Sequence, residues 1–171
     1  IIYPYVLESE AMIGQLKTEE ILTQMGMPRS YLAKQSNWIS VEFLNEFLDR
    51  FSKHSDVSEL SKRAGIRAMK KDVIGLNYYL LKHLVTPEVA FRAFEKLTPK
   101  FNRSRTYRLL ECKRGRAKVA VGLANKALLP KHPSSCENWK ANFESYIQLM
   151  TGRVGKVEKS ACCYKGDPTC I

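Results

Sequence analysis

The last ten residues constrain the fold of this chain more than any other stretch, because two cysteines flank a predicted chain reversal. The segment reads Cys162-Cys163-Tyr164-Lys165-Gly166-Asp167-Pro168-Thr169-Cys170. Glycine reaches positive φ at little cost, aspartate can bond its own backbone and proline fixes φ, so Gly166-Asp167-Pro168 predicts a tight turn. Such a turn would bring Cys162 and Cys170 side by side on paired strands.

A third thiol, Cys136, lies upstream at the start of a predicted aromatic helix. A structural zinc site normally has four sulfur or nitrogen ligands in a tetrahedron, and Cys136, Cys162 and Cys170 supply three. The dipole at a helix N-terminus would favour the thiolate of Cys136. Three converging sulfurs fit either a soft-metal site or a buried cluster of small apolar side chains. A reversible disulfide among Cys162, Cys163 and Cys170 is a third interpretation.

The cysteines belong to a wider set of short motifs. In order along the chain these are Phe101-Asn102-Arg103, Cys136-Glu137-Asn138 and Gly166-Asp167-Pro168-x-Cys170, the last closing a C-x7-C spacing. In these motifs the chain resembles the 4-vinyl reductase domain family, a relative of the heme-NO-binding sensor fold. The closer likeness is to input domains of that family at the N-termini of bacterial signalling proteins. It covers roughly the second half of the chain.

This resemblance implies a sensory domain that binds a small apolar or aromatic ligand and biases a C-terminal output domain in cis, with room for a homodimer. It also implies zinc on the three cysteines, completed in some members by a glutamate just before the second one. In this chain Lys159 occupies the position at which that glutamate is expected. Glu158 is one residue off and would face the opposite side of a strand unless a bulge intervenes. The fourth ligand stays open between Glu158, Cys163, His132 and water.

Catalysis and heme are not expected in this segment. The Y-x-S-x-R element by which the heme-binding relatives grip the propionates has no match in the sequence. No Walker loop, dinucleotide glycine fingerprint, H-E-x-x-H motif or nucleophile elbow occurs either. The name of the family leaves one enzymatic alternative, the reduction of a tetrapyrrole vinyl group. The full-length protein can also carry a catalytic output module such as a kinase or a nucleotide cyclase.

Aromatic residues in the second half of the chain are candidates for lining a ligand pocket. Pockets for apolar ligands are lined by apolar and aromatic side chains with few polar anchors, and the imidazole of a histidine can bond a buried hydroxyl. We expect the lining to be drawn from Tyr78, Tyr79, His83, Tyr107, Trp139, Phe143 and Tyr146.

Hydrophobic periodicity predicts the α+β class, with a helical part over residues 1–100 and an α+β part over 101–171. In the first part, Glu8–Met25 is predicted as a single helix. In the second, Arg105–Glu111 and Ala117–Ala124 are predicted to pair as an antiparallel hairpin.

A helix and a terminal hairpin are predicted to follow. The helix is indicated by an aromatic stripe at helical spacing, formed by Trp139, Phe143, Tyr146, Ile147 and Met150. Val154–Tyr164 and a short strand beginning at Thr169 are predicted to complete an antiparallel sheet. The aromatic helix should pack against that sheet.

Composition bounds the class of protein. A chain of 171 residues, 44% of them hydrophobic, is long enough for one globular domain with a real core. It contains no run of about 18 apolar residues, so no membrane span is predicted. Five cysteines without an export signal favour reduced thiols and a cytoplasmic protein.

The net charge of +11 raises an alternative function. Part of that charge lies in one stretch, at Arg103, Arg105, Arg108, Lys113, Arg114 and Arg116. This stretch is either a nucleic-acid or acidic-partner surface, or a solvated strand pair with basic turns. Charge alone does not identify a partner, so nucleic-acid binding stays the alternative to sensing.

Overall fold

The first half of the chain folds into helices, and the second half adds a strand hairpin and one long helix. This computed structural model describes residues 2–34, 37–83, 86–113, 115–125 and 129–171, with the backbone alone described for 97–101. The helices before the sheet are α1 Tyr3–Ile13, α2 Gln15–Gln24, α3 Arg29–Ala33, α4 Val41–Phe51, α5 Val57–Arg67, α6 Lys71–Ile74, α7 Asn77–His83 and α8 Pro87–Phe101. They are followed by β1 Arg105–Lys113, β2 Arg116–Leu123, α9 Ser135–Thr151 and a 3₁₀ turn over Cys163–Lys165. The predicted α+β class is confirmed.

A glycine divides the first predicted helix in two. Gly14 has φ 88° and ψ 154°, a conformation that ends α1 and begins α2. The prediction of one helix over Glu8–Met25 is therefore wrong. The hydroxyl groups of Ser9 and Thr18 share a buried hydrogen bond of 2.8 Å between the two helices. Leu16, which the single helix would have placed on an apolar face, is 85% exposed.

The first hydrophobic core lies between α1, α2, α4 and α5. The Ser40 hydroxyl caps α4 by accepting a hydrogen bond from the Phe43 N–H at 3.1 Å. The Asp56 carboxylate caps α5 through the Ser58 N–H at 2.8 Å. With these starts fixed, apolar side chains at helical spacing point inward. The fully buried members include Val6, Leu22, Phe47, Leu48, Phe51 and Leu60.

Helix α5 joins the two halves of the chain by packing against α1 on one side and α9 on the other. Gly65 makes the second contact possible, because a Cβ at this position would overlap the carbonyl oxygen of Asn138. The Asn138 side chain in turn donates to the carbonyl of Ser61 at 3.0 Å. The beginning of α9, where Cys136 lies, is thereby fixed against α5.

A second core, here called the aromatic cluster, consists of Phe91, Phe94, Tyr107, Phe143 and Tyr146. Its rings come from α8, β1 and α9. The Phe94 and Tyr107 rings meet edge to face at 4.7 Å between centroids, and the Phe91 and Tyr146 rings do so at 5.7 Å. Such pairs add to the free energy of burial. The predicted aromatic helix is confirmed as α9, which Gly152 ends in the left-handed conformation.

The predicted hairpin is also confirmed. Strands β1 and β2 pair antiparallel from Arg105 opposite Leu123 to Lys113 opposite Arg116, with a bulge between Leu109 and Glu111. A bulge changes which face a residue points to, because it inserts one unpaired position into a strand.

The predicted terminal hairpin strands are only partly present. The chain does reverse, so that the Ile171 N–H donates to the Ala161 carbonyl at 3.2 Å. Cys170 then forms an antiparallel bridge to Val121 on the free edge of β2. The prediction of a strand over Val154–Tyr164 is wrong, and the sheet of the described residues has two strands.

The segment after α9 lies against that helix instead of pairing with the sheet. The Val157 N–H donates to the Glu144 carboxylate at 3.2 Å, and a Cβ at Gly155 would overlap the side chain of Ile147. The side chain of Val154 in this segment is 86% exposed. None of the helices within the described ranges is long and apolar enough to cross a lipid bilayer.

Candidate metal centre

Three cysteines from distant parts of the chain converge, and they are named here the thiol cluster: Cys136, Cys162 and Cys170. Their Sγ atoms all lie within 4.8 Å of one another, and Cys136 Sγ is 3.9 Å from Cys162 Sγ. Cys136 lies in the first turn of α9, Cys162 directly before the 3₁₀ turn, and Cys170 on the edge of β2. The structure therefore brings together the three sequence-predicted metal ligands.

The tight turn predicted at Gly166-Asp167-Pro168 positions two of these sulfurs. The Asp167 carboxylate accepts a hydrogen bond from the Cys162 N–H at 2.7 Å, and Gly166 takes φ 94°. The Cys163 N–H donates to Cys170 Sγ at 3.3 Å. An N–H group directed at sulfur stabilises negative charge there, as a thiolate ligand requires.

Tyr164 ties the turn to the loop before α9, and so to the third sulfur. Its hydroxyl lies 2.6 Å from the Ser135 hydroxyl and donates to the Pro130 carbonyl at 2.8 Å. Ser135 directly precedes Cys136, so the position of Cys136 relative to the other two thiols is fixed through this contact. Burial of the phenol raises the pKa of Tyr164, which keeps the hydroxyl protonated.

The thiols of the cluster differ in their electrostatic surroundings. Burial raises the pKa of Cys136 to about 12, and its thiol neighbours add to the effect. At Cys162 burial acts in the same direction, yet the Tyr164 N–H, the Lys159 ammonium group and a hydrogen bond from Cys136 lower its pKa overall. Without a metal, these shifts make Cys162 the more acidic of the two thiols and keep Cys136 protonated.

The candidates for a fourth ligand lie in different places. His132 Nε2 is 2.9 Å from Asp49 Oδ1, and exposed Glu158 pairs with Lys156 at 2.6 Å, so both side chains have other partners. The Cys163 thiol interacts with Cys170 but lies outside the group within 4.8 Å. Every Cys, His, Asp and Glu belongs to the described residues, and among these no fourth side chain completes the cluster.

Lys159 lies where the family resemblance would place an acid. Its ammonium group is within hydrogen-bonding reach of the Cys136 and Cys162 thiols. The residue itself is exposed to solvent. Thiolate sulfur suits soft or borderline metal ions such as zinc, and three sulfurs with one nearby cation fit such an ion.

The predicted basic stretch does not form one surface. Arg105 is only 6% exposed and lies beside Cys163 and Tyr164. The Arg103 guanidinium stacks over the Trp38 ring at 4.1 Å from its centroid. Arg108, Lys113 and Arg116 are exposed, and Arg114 lies outside the described residues. Including Arg105 in a surface patch was wrong, because in the paired strand it alternates inward together with Tyr107.

The seven predicted pocket residues fall into two regions. Tyr107, Phe143 and Tyr146 belong to the aromatic cluster, and the Trp139 ring lies 5.8 Å from that of Phe143. Tyr78, Tyr79 and His83 lie on α7. Of these three, Tyr78 and His83 border a cleft, while Tyr79 is 43% exposed beneath the ammonium group of Lys71.

The cleft lies between the end of α5, helix α7 and the last turns of α9, and its volume is about 580 Å³. Met69 and Met150 line it and also pack against the aromatic cluster, so these two flexible side chains separate the two regions. Sequence reasoning missed both as pocket residues. The basic groups at the rim are Lys70, Lys82 and His83.

One polar atom inside the aromatic cluster has no partner. The Tyr107 hydroxyl is buried and accepts or donates no hydrogen bond within the described part of the chain. Burial raises the pKa of Tyr107 above its usual range and that of Tyr146 to about 12, so both are phenols at neutral pH. A buried hydroxyl without a partner costs free energy, and a ligand can recover it.

No family model, no curated protein and no solved structure matches this chain. The function of this chain is therefore inferred from the geometry of the thiol cluster and of the aromatic cluster. The resemblance in the short motifs remains an expectation beside that geometry.

Proposed function

We propose that this chain is the sensory input domain of a bacterial signalling protein, and that it binds a small apolar or aromatic ligand. The convergence of Cys136, Cys162 and Cys170 within 4.8 Å carries the proposal. Those residues belong to the motifs in which the chain resembles the 4-vinyl reductase domain family. Their meeting in space is what a shared metal site requires.

In this proposal zinc is held by the three thiols of the cluster. The ion supplies a structural cross-link of the beginning of α9 to the terminal segment. Cys170 extends the link to β2 through its bridge with Val121. The hydrogen bonds of Asp167 and Tyr164 hold the same segment without the ion, so the chain presents its ligands together.

The ligand would enter through the cleft and reach the aromatic cluster past Met69 and Met150. An apolar site with one polar anchor selects for a ligand with an aromatic ring and a hydroxyl or amino group. Tyr107 provides that anchor, because its hydroxyl has no partner within the described part of the chain. Such a ligand would gain both ring contacts and a hydrogen bond.

Helix α9 would carry the response from the ligand to the C-terminus. It contributes Phe143 and Tyr146 to the aromatic cluster and Cys136 to the thiol cluster. A shift of α9 therefore moves the anchoring point of the terminal segment, to which we assign an output domain in cis. The ligand must bind the protein more tightly with α9 in one of its two positions than in the other. Equal affinity for both conformations would not shift the equilibrium between them.

A thermal-shift screen tests the sensing function directly. Small phenols, indoles and tetrapyrroles are added to the purified protein, and a ligand should raise the Tm increasingly above its dissociation constant. A hit should raise the Tm less in Tyr107→Phe than in the wild type, and equally in Tyr31→Phe, a tyrosine 40% exposed on α3. No rise in Tm with any member of the three classes would contradict the proposal.

A further inference from the structure

The Lys159 ammonium group lies beside the Cys136 and Cys162 thiols, and this side of the thiol cluster has its own chemistry. Three thiolates and a divalent ion carry a net charge of −1, which the Lys159 ammonium group can neutralise. An ammonium group cannot itself act as a ligand, because its nitrogen has no free electron pair. Lys159 itself is exposed, and within the described ranges no protein donor fills the fourth position beside its ammonium group.

The side chains that could close the position are held elsewhere. His132 is bonded to Asp49 at 2.9 Å and Glu158 to Lys156 at 2.6 Å. The Asp167 carboxylate accepts the Cys162 N–H at 2.7 Å, and its removal from that bond would undo the turn that positions Cys162. A tetrahedral metal on three sulfurs consequently keeps one position open, as metal sites with exchangeable ligands do.

We propose that this fourth position takes a small anion from solution, held between the metal ion and the Lys159 ammonium group. The inference rests on the proposed metal site and extends it to a binding site for anionic donors such as thiolates, carboxylates or azide. The anion displaces the water molecule that would otherwise be the fourth ligand, donates an electron pair to the metal and accepts a hydrogen bond from Lys159. No bond to the protein is broken.

Occupancy of the fourth position can be followed in cobalt-loaded protein. Cobalt replaces zinc, and its visible absorption bands depend on the ligands that it binds. Azide is the probe. In the wild-type protein it should change the cobalt bands saturably. Lys159→Met should bind azide about 2- to 5-fold more weakly, which is the effect of one exposed charge. The matched control is Lys156→Met, which removes an exposed lysine of the same segment that pairs with Glu158 and should leave azide binding unchanged.

Lys159→Glu provides a second, independent test. A carboxylate at this position can coordinate the metal itself, so the variant should show the bands of a closed site without azide and no response to it. It should also bind cobalt more tightly than the wild type, because it offers four ligands in place of three.

Three outcomes would overturn the inference while leaving the metal site in place. The first is a lack of any effect of azide on the wild-type bands, and the second is a Lys159→Met variant that binds azide as tightly as the wild type. The third is a Cys163→Ser variant whose bands differ from those of the wild type without azide, which would make Cys163 the fourth ligand. Absence of cobalt–thiolate absorption in every variant would contradict the metal site itself, and with it this inference, so the two failures are distinguishable.

Discussion

The Sγ atoms of Cys136 and Cys162 lie 3.9 Å apart, although the two residues are 26 positions apart in the sequence. The first stands in the opening turn of α9, and the second enters a turn that an aspartate and a tyrosine hold in place. This relationship connects the aromatic cluster, through α9, with the end of the chain.

Asp167→Ala should weaken metal binding without removing a thiol. The Asp167 carboxylate accepts the Cys162 N–H at 2.7 Å, and losing such a bond costs about 1 kcal/mol, or roughly fivefold in affinity. Asp167→Asn keeps an acceptor oxygen and should lose less. Competition with a chromophoric chelator measures the affinities. Equal affinity for Asp167→Ala and the wild type would show that the turn is not organised by this bond.

Gly65→Ala should destabilise the protein by separating α5 from α9. The added Cβ would overlap the Asn138 carbonyl oxygen, and overpacking of this kind costs about 1–3 kcal/mol. Urea unfolding followed by circular dichroism measures the change in the free energy of unfolding. Arg63→Ala, on the exposed face of the same helix, should change it by less than about 0.5 kcal/mol. A Gly65→Ala variant as stable as the wild type would contradict the close packing of the two helices.

Tyr107→Phe should have opposite effects on stability and on ligand binding. The buried Tyr107 hydroxyl has no partner among the described residues, so its removal should leave the free energy of unfolding unchanged or raise it by up to about 1 kcal/mol. Affinity for a phenolic ligand found by the thermal-shift screen should fall about 3- to 10-fold, the value of one hydrogen bond. A loss of stability of several kcal/mol would instead indicate that the hydroxyl has a structural partner.

Asp49 should contribute to stability at neutral pH and cease to do so in acid. Hydrogen bonds from Lys131 and His132 hold its pKa below the usual value, and these residues precede Cys136 in the loop before α9. A carboxyl with a depressed folded pKa stabilises the folded state above its unfolded pKa, about 4, and loses that contribution as pH falls through the folded value.

The matching measurement compares wild type and Asp49→Asn in urea unfolding between about pH 6 and about pH 3. The difference in stability between the two proteins should be present at the higher pH and shrink toward zero at the lower. Glu46→Gln, which removes an exposed partner of Arg50 on the same helix, serves as the control for charge alone. A difference that grows on acidification would have the wrong sign for this account.

Local signals in the sequence predicted the parts of the fold that depend on local chemistry. The stripe from Trp139 to Met150 predicts α9, and the basic turn between two alternating segments predicts the β1–β2 hairpin. The Gly166-Asp167-Pro168 turn and the approach of Cys162 to Cys170 also follow from residue type and spacing, whereas the place of Cys136 beside them was expected from the family resemblance. Gly14 was the available signal for the break between α1 and α2, because glycine is costly inside a helix.

Other features depend on contacts between distant residues and were not predictable from local patterns. Val154–Tyr164 was predicted as a strand, yet it is held by the Glu144 carboxylate and by the contact of Gly155 with Ile147 on α9. Arg105 looked like a surface cation, and only the pairing of β1 shows that it faces inward. The separation of Tyr78 and His83 from the aromatic cluster likewise results from the tertiary position of α7.

The zinc content of the purified protein tests the central claim most directly. Elemental analysis of wild type, Cys136→Ser and Cys112→Ser compares one member of the thiol cluster with a cysteine of β1 outside it. We predict about one zinc per chain in the wild type and in Cys112→Ser, and a value close to zero in Cys136→Ser. A wild-type protein without zinc, or a Cys136→Ser variant that retains all of it, would contradict the account.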